Sequence, residues 1–276
     1  MHPLDSQPLV SVVIPAYNAE KTLARTLESV LSQTLSSLQV VVVDDGSRDR
    51  TLAIAREFAA EDPRVSAVAI EPAGVSAARN RGIELSEGKY IRFVDADDTL
   101  PPNSMEVMVS RAEKDSADLV VGGFTMYVGD ISHRQNLEER NDTLSNPEVL
   151  RLLCPHSNTF FYGVLWNKLF SRELVHANDV RFMDGLTWGE DFCFVMDYLR
   201  HAETVAYLEE SLYDYRRQPG SMTIRQVLDC VVHPFRNIRM KRVLYSHLKD
   251  LYVARGEYPR YRHKLWLYLF RVALNQ

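Results

Sequence analysis

Three carboxylates fall within four positions of "KYIRFVDADDTLPP", residues 89–102, where Asp95, Asp97 and Asp98 directly follow an apolar run. Asp and Thr ahead of Pro101 and Pro102 also suit a turn into a helix, with the prolines at its first positions and Met105, Met108, Val109 and Ala112 along one face. Such a start accounts for one carboxylate, with Asp98 as its cap. Three in one turn repel one another unless a cation or several hydrogen-bond donors compensate, and hard oxygen ligands suit Mg²⁺ or Mn²⁺. A metal site and a solvated turn both stand at this point. A second acidic pair, Glu190 and Asp191 in "WGEDFCF", opens a stretch in which Phe192, Val195, Met196 and Leu199 recur at helical spacing. At a helix N-terminus these carboxylates complement the dipole and cap the chain, or they do acid–base chemistry. Both readings remain open on residue types alone.

Composition narrows the classes. A chain of 276 residues with 46% hydrophobic content buries a large core, as one domain or one with a smaller appendage. A net charge of -5 gives no field for nucleic acid, and the first half has no basic stretch interleaved with aromatics. Cys154, Cys193 and Cys230 are scattered and odd in number, which fits neither a disulfide framework nor a zinc site. The lone histidines, among them His156, His176 and His201, have no second ligand at metal spacing. "MHPLDSQP" lacks a signal-peptide pattern, and no apolar run approaches 18 residues. The expectation is a cytoplasmic protein, with contact at the inner membrane face left open for the C-terminal helices.

The elements that must position those acids alternate regularly over the first 125 residues. "LVSVVIPAY", "LQVVVVDDGS", "RVSAVAI" and "KYIRFVDADD" read as strands, with helical periodicity in the segments between them. Near-continuous Val and Ile imply strands covered on both faces, hence a mostly parallel sheet with helices on either side. Ligands bind beyond the carboxyl ends of such strands. Those ends carry "PAYN", "DDGS", "EPAG" and "DADD", so Tyr17, Asn18, Asp44, Asp45, Asp95, Asp97 and Asp98 should face one crevice. Residues 128–146 are polar and aperiodic, a surface excursion or hairpin. From Ile224 onward the chain reads as helical, more a bundle edge with snorkelling charges than a membrane anchor. Its amphipathic pattern still runs at "RVALNQ", which points to a longer parent chain.

The order of "VSVVIPAYNAEKTLARTLESVLSQTL", "VVVVDDGSRDRT", "GVSAARNRGIELSEGKYIRFVDADD" and "WGEDFCF" resembles the inverting family 2 glycosyltransferases of GT-A fold. "WNKLF" and "YDYRRQPGSMT" extend the likeness to about residue 223. The resemblance implies a GT-A domain over 1–223, with a nucleotide-binding half at 9–125 and an acceptor half at 126–223, and a helical extension over 224–276. It also implies residue roles. Tyr17 would lie against the nucleobase with Pro15 shaping that edge, and Asp45 would accept from a uracil ring N–H, which favours a UDP-sugar. Arg79 falls where the family has a basic residue near the diphosphate. Asp95 and Asp97 form the metal-binding DxD element for Mn²⁺ or Mg²⁺, with Asp97 the direct ligand and Asp95 on the ribose or a metal-bound water. Asp191 matches the catalytic base and Glu190 its orienting neighbour, while Arg216 and Ser221 would close over the diphosphate. The QxxRW element of processive synthases is absent from the sequence. One or a few sugars would therefore pass to a glycan or lipid-linked acceptor in polysaccharide biosynthesis.

Two rivals are weighed against this. A sugar-nucleotide pyrophosphorylase needs a glycine-rich loop after the first strand, where this chain has "PAYNAE". A non-catalytic nucleotide-sugar or glycan-binding module would keep the fold without turnover, and intact Asp45, Asp97 and Asp191 speak against such decay.

Overall fold

The structure, a computed structural model, describes residues 7–129, 131–135, 140–156, 160–186, 188–217 and 234–274. Apolar runs become strands where the sequence places them: β1 (Val10–Ala16), β2 (Leu38–Asp44), β3 (Val65–Ala69) and β4 (Tyr90–Phe93). All seven residues of β1 are buried, which is why it carries no polar alternation. Helices α1 (Leu23–Leu31), α2 (Thr51–Glu61) and α3 (Val75–Leu85) connect these strands. Contact between α3 and β1 depends on Gly82, where a Cβ would lie 2.2 Å from a Val13 methyl.

These four strands pair in parallel in the order β3-β2-β1-β4. The chain winds outward from β1 to β3 and then crosses back to β4 on the other side of β1. That reversal opens a crevice beyond the carboxyl ends of β1 and β4. The tips are laced together there: Asp45 N donates to Ala16 O at 2.9 Å, and Val94 N to Val13 O at 3.0 Å.

Past β4 the sheet is mixed and no longer mostly parallel. It continues through β8 (Lys168–Ser171), β5 (Leu119–Val128), β9 (Thr204–Arg217) and β7 (Thr143–Ser145). Strand β8 runs antiparallel to both β4 and β5, whereas β5 and β9 are parallel. The polar excursion includes an exposed strand, β6 (Ile131–Gln135), that forms a hairpin with β5. The helix predicted from Pro101 starts later, as α4 (Ser104–Asp115) with Asn103 at its N-cap. The prolines are held outside it because Pro101 O accepts from Gln33 Nε2 at 2.8 Å and Pro102 O from Thr34 N at 2.9 Å.

Helices α5 (Asn146–His156), α6 (Phe160–Gly163), α7 (Arg172–Ala177) and α8 (Glu190–Leu199) cover the second half of the sheet. An aromatic cluster seats α8: Phe194 stacks on Phe182 with centroids 4.2 Å apart and meets the edge of Phe93 in β4 at 5.7 Å. The last helices, α9 (Pro234–Ala254) and α10 (Tyr258–Leu274), bury Leu244, Leu248, Leu251, Tyr252, Tyr261 and Leu265 in the same core as the sheet. Cys154 and Cys193 are buried and reduced, as their scatter suggests; Cys230 lies outside the described residues.

Candidate active site at the carboxyl edge of the sheet

Because β4 ends at the crevice, the "DADD" loop enters it, and its three acids meet different surroundings. Asp95 Oδ1 accepts from Arg79 Nη2 at 3.2 Å. Asp97 stays half-buried, and among the described residues no donor of another residue holds its carboxylate; burial and then the like charge of Asp95 push its pKa up to about 6. Asp98 is fully buried and does not cap α4. Its Oδ1 accepts from Arg216 N at 2.7 Å and its Oδ2 from the Tyr213 hydroxyl at 2.7 Å. Burial, followed by the charges of Asp95 and Asp97, holds it well above the usual carboxylate range.

The acidic pair reaches the same place from the other half of the sheet. Gly189 at φ +79° supplies the left-handed N-cap of α8, and no side chain caps that end. Glu190 and Asp191 turn instead to Arg79, whose Nη1 donates to Glu190 Oε1 at 3.2 Å and to Asp191 Oδ1 at 2.6 Å. Neither acid makes a side-chain cap hydrogen bond, although both remain in the first turn of α8, where they complement the helix dipole. Arg79, at 4% exposure, sits 5.4 Å from the Phe182 ring centroid, and its Nε is buried without a partner among the described residues. Burial works against its charge, but Asp191, Asp95 and Glu190 together outweigh it and hold it firmly protonated. Asp191 is pushed above the usual carboxylate range by burial; Arg79 opposes that rise, while Glu190 and Asp95 add to it.

At the tip of β1 Tyr17 is 58% exposed, while Pro15 is buried within the strand. Asp45 Oδ1 accepts from Ala73 N at 2.7 Å, and its Oδ2 from Gly74 N at 2.9 Å, so it fastens the loop after β3. Neighbouring Asp44 accepts from Ser47 N at 3.1 Å through Oδ2, but its Oδ1 is buried with no donor among the described residues. The Arg216 guanidinium lies over the Tyr127 ring, 4.8 Å from its centroid, beside Thr99. Ser221 lies outside the described residues.

Residues without an assigned role in the sequence turn out to brace this edge. Trp166 of "WNKLF" stacks on Tyr213 at 4.5 Å and thereby supports the hydroxyl that holds Asp98. Lys168 is fully buried and donates to Phe161 O, Val164 O and Asn167 Oδ1 at 3.0, 2.7 and 2.9 Å. Burial lowers its pKa to about 7, with Asp191 opposing. A lone Lys inside an apolar strand was the available signal. Arg25 Nη2 caps Asp97 O at 2.8 Å, and nothing in its exposed helical position points to that contact.

A parallel half-sheet with a crevice at its switch point, entered by acids from both halves, defines a glycosyltransferase of GT-A architecture. The chain belongs to glycosyl transferase family 2, whose model matches residues 11–177. It is 35% identical over 249 residues to the uncharacterized glycosyltransferase EpsJ of Bacillus subtilis, covering 90% of this chain and 69% of that protein. Staphylococcus aureus TarS 1-349 in complex with UDP-GlcNAc shares the fold, with TM-score 0.72 and 21% identity over 87% of this chain and 66% of that one. So does the mannosyltransferase PcManGT of Pyrobaculum calidifontis in complex with GDP-Man and Mn2+, with TM-score 0.60 and 17% identity over 98% and 87% of the two chains.

Proposed function

We propose that the chain moves a sugar from a UDP-sugar to a hydroxyl of a glycan or lipid-linked acceptor, by one displacement with inversion. The observation that carries this reading is the shared guanidinium. Arg79 joins Asp95 at the donor end to Asp191 at the start of α8, so that a nucleotide-sugar and an acceptor would meet between them. Tyr17 offers an exposed ring for the base. Asp45 retains acceptor capacity beside its two backbone bonds, and the unpartnered Asp44 Oδ1 is a second acceptor that a ring N–H would satisfy. Arg216, whose guanidinium rests on Tyr127 beside Thr99, would meet the diphosphate, whereas Arg79 is committed to carboxylates and would act on the phosphates only indirectly.

Among the described residues no group of three His, Cys, Asp or Glu gathers at metal-binding spacing. Asp97 and Asp95 nevertheless suit Mn²⁺ or Mg²⁺, because such ions keep waters and substrate phosphate oxygens among their ligands, and the mutual repulsion of these two acids favours a cation between them. A bound ion would neutralise charge on the departing diphosphate. The protein's own part is at the acceptor. Asp191 takes the hydroxyl proton as the oxygen attacks the anomeric carbon, the bond to the nucleotide breaks on the opposite face, and UDP leaves with the electron pair. Glu190 and Arg79 orient that carboxylate. No covalent sugar–enzyme intermediate is required.

The test is UDP release from a panel of UDP-sugars, with GDP-mannose alongside, in the parent and in Asp191→Asn. Donor affinity should persist in the variant while turnover falls roughly 10²–10⁴-fold. An active Asp191→Asn removes this residue as the base. Donor binding with no turnover from any donor would favour the binding-module reading.

A further inference from the structure

The chain as a whole carries -5, yet the segment 234–274 that forms α9 and α10 holds ten Lys or Arg and two Asp or Glu. That is +8 for the segment, which leaves -13 on the remaining residues. Charge is thus separated between the body and its last two helices. The helices also keep their inner and outer faces distinct. On α10, Tyr258, Tyr261 and Leu265 turn inward, while Arg260, His263 and Trp266 recur every third residue on the exposed side, flanked by exposed Arg262 and Lys264. On α9 the outward stripe contains Arg239, Arg242, Ser246, Asp250 and Val253. Among the described residues no carboxylate pairs with Arg239, Arg242, Arg262 or Lys264, and the one that pairs with Arg260 is Glu257, at 3.8 Å. Trp266 is 54% exposed and Val253 53%.

We infer that the outer face of the α9–α10 pair docks on an anionic phospholipid surface. Charge complementarity selects an anionic partner, and the exposed Trp beside Arg and Lys is the side-chain combination that enters a lipid headgroup layer. A planar surface can meet this one face without approaching the acidic body, which a polyanion able to wrap the protein could not avoid. No described helix is long and apolar enough to cross a membrane, so the contact is peripheral. It also bears on the site. Arg255 at the end of α9 ties Ala202 O and Glu203 just beyond α8, His247 Nδ1 meets Asp197 Oδ1 at 2.9 Å, and a Cβ on Gly189 would strike Leu244 at 2.7 Å. The docking helices therefore grip the helix that carries Asp191 along its whole length.

The experiment is co-sedimentation of the 276-residue chain with vesicles of phosphatidylglycerol and phosphatidylcholine, against vesicles of phosphatidylcholine alone, with no nucleotide present. Its outcome is thus separate from that of the transfer reading. Binding is expected only to the anionic vesicles and should weaken as salt is added. Each basic side chain near such a surface contributes roughly fivefold, so the R260E/R262E/K264E variant should lose more than about 100-fold in partitioning. Its melting temperature should be unchanged because these side chains are exposed. Trp266→Ala should weaken binding to anionic vesicles at high salt, where the apolar contribution remains. Equal binding to neutral vesicles, no binding to anionic ones, an undiminished triple variant, or tighter binding to single-stranded RNA than to anionic vesicles would each overturn the inference.

Discussion

Replacing Arg79 by methionine removes the one cation that three carboxylates share while keeping much of the side chain's apolar length. The contacts at 2.6 Å to Asp191 and 3.2 Å to both Asp95 and Glu190 are lost together. Unit charges about 4 Å apart at an effective dielectric near 20 attract by about 4 kcal/mol. Withdrawn from Asp191, that attraction biases the group roughly a thousandfold toward its protonated form. Burial already raises Asp191, and Arg79 is the largest influence opposing it. The variant should therefore have little ionised Asp191 at neutral pH and, with Asp191 as the proposed base, transfer should be slow there but climb with pH beyond the point where the parent has levelled. Folding follows the same sign. Removing one partner from a buried ion cluster costs about 3–5 kcal/mol. A carboxyl with a raised folded pKa contributes stability at low pH that is lost as pH rises through that pKa, so the deficit should widen toward alkaline pH. Denaturant titration and pH–rate profiles of Arg79→Met, with Arg79→Lys as the charge-conserving comparison, check both expectations. A parental profile in Arg79→Met would refute the reasoning, as would a stability deficit independent of pH.

Asp97, raised to about 6 by burial and Asp95, contributes stability below about pH 4 that is lost as pH rises through 6; melting curves should therefore show Asp97→Asn gaining on the parent across that window. In the parent, Mn²⁺ should tighten UDP binding above pH 6 and do so weakly below it, and equal UDP affinity with chelator and with Mn²⁺ in calorimetry would exclude Asp97 as a metal ligand. Lys168→Met leaves three buried acceptors without a donor, at about 1 kcal/mol or more each, so denaturation should report a loss of about 3 kcal/mol. UDP should displace donor about tenfold better than CDP, with the preference reduced in Asp45→Asn; better displacement by GDP than by UDP would reassign the carrier.

The strand tips were legible because burial on both faces demands continuous Val and Ile, so the first polar residues after each run mark where the chain leaves the core. Tyr17, Asp45 and Asp95 are found at such tips, and Asp97 two residues further on. The helical phase of Phe192 and Leu199 likewise exposed the position of Glu190 and Asp191 at the start of α8. What those acids do there was not legible. Capping and catalysis ask for the same residues at a helix start, and the partner these acids do meet, Arg79, lies 112 residues from Asp191 in the chain, beyond the reach of any local pattern. The parallel expectation failed past β4 for a related reason. Strand β8 is only four residues long, and a short run carries no signal of direction.

Asp98 shows why sequence-distant contacts matter to the chemistry. Within its tetrapeptide it resembles a third metal ligand or a cap, and local rules offer nothing else. The fold gives it to β9, where the Tyr213 hydroxyl and Arg216 N enclose it and Thr99 and Asp214 exchange backbone hydrogen bonds at 3.3 and 2.9 Å. The "DADD" loop is thereby fixed to β9. Burial keeps Asp98 toward its neutral form, so it adds little to the repulsion between Asp95 and Asp97. Three acids thus divide into one that pairs with Arg79, one whose carboxylate meets no donor of another described residue, and one that anchors the loop. On the proposed reading, Asp97 together with Asp95 would hold the cation, and Asp98 would hold the loop that carries them.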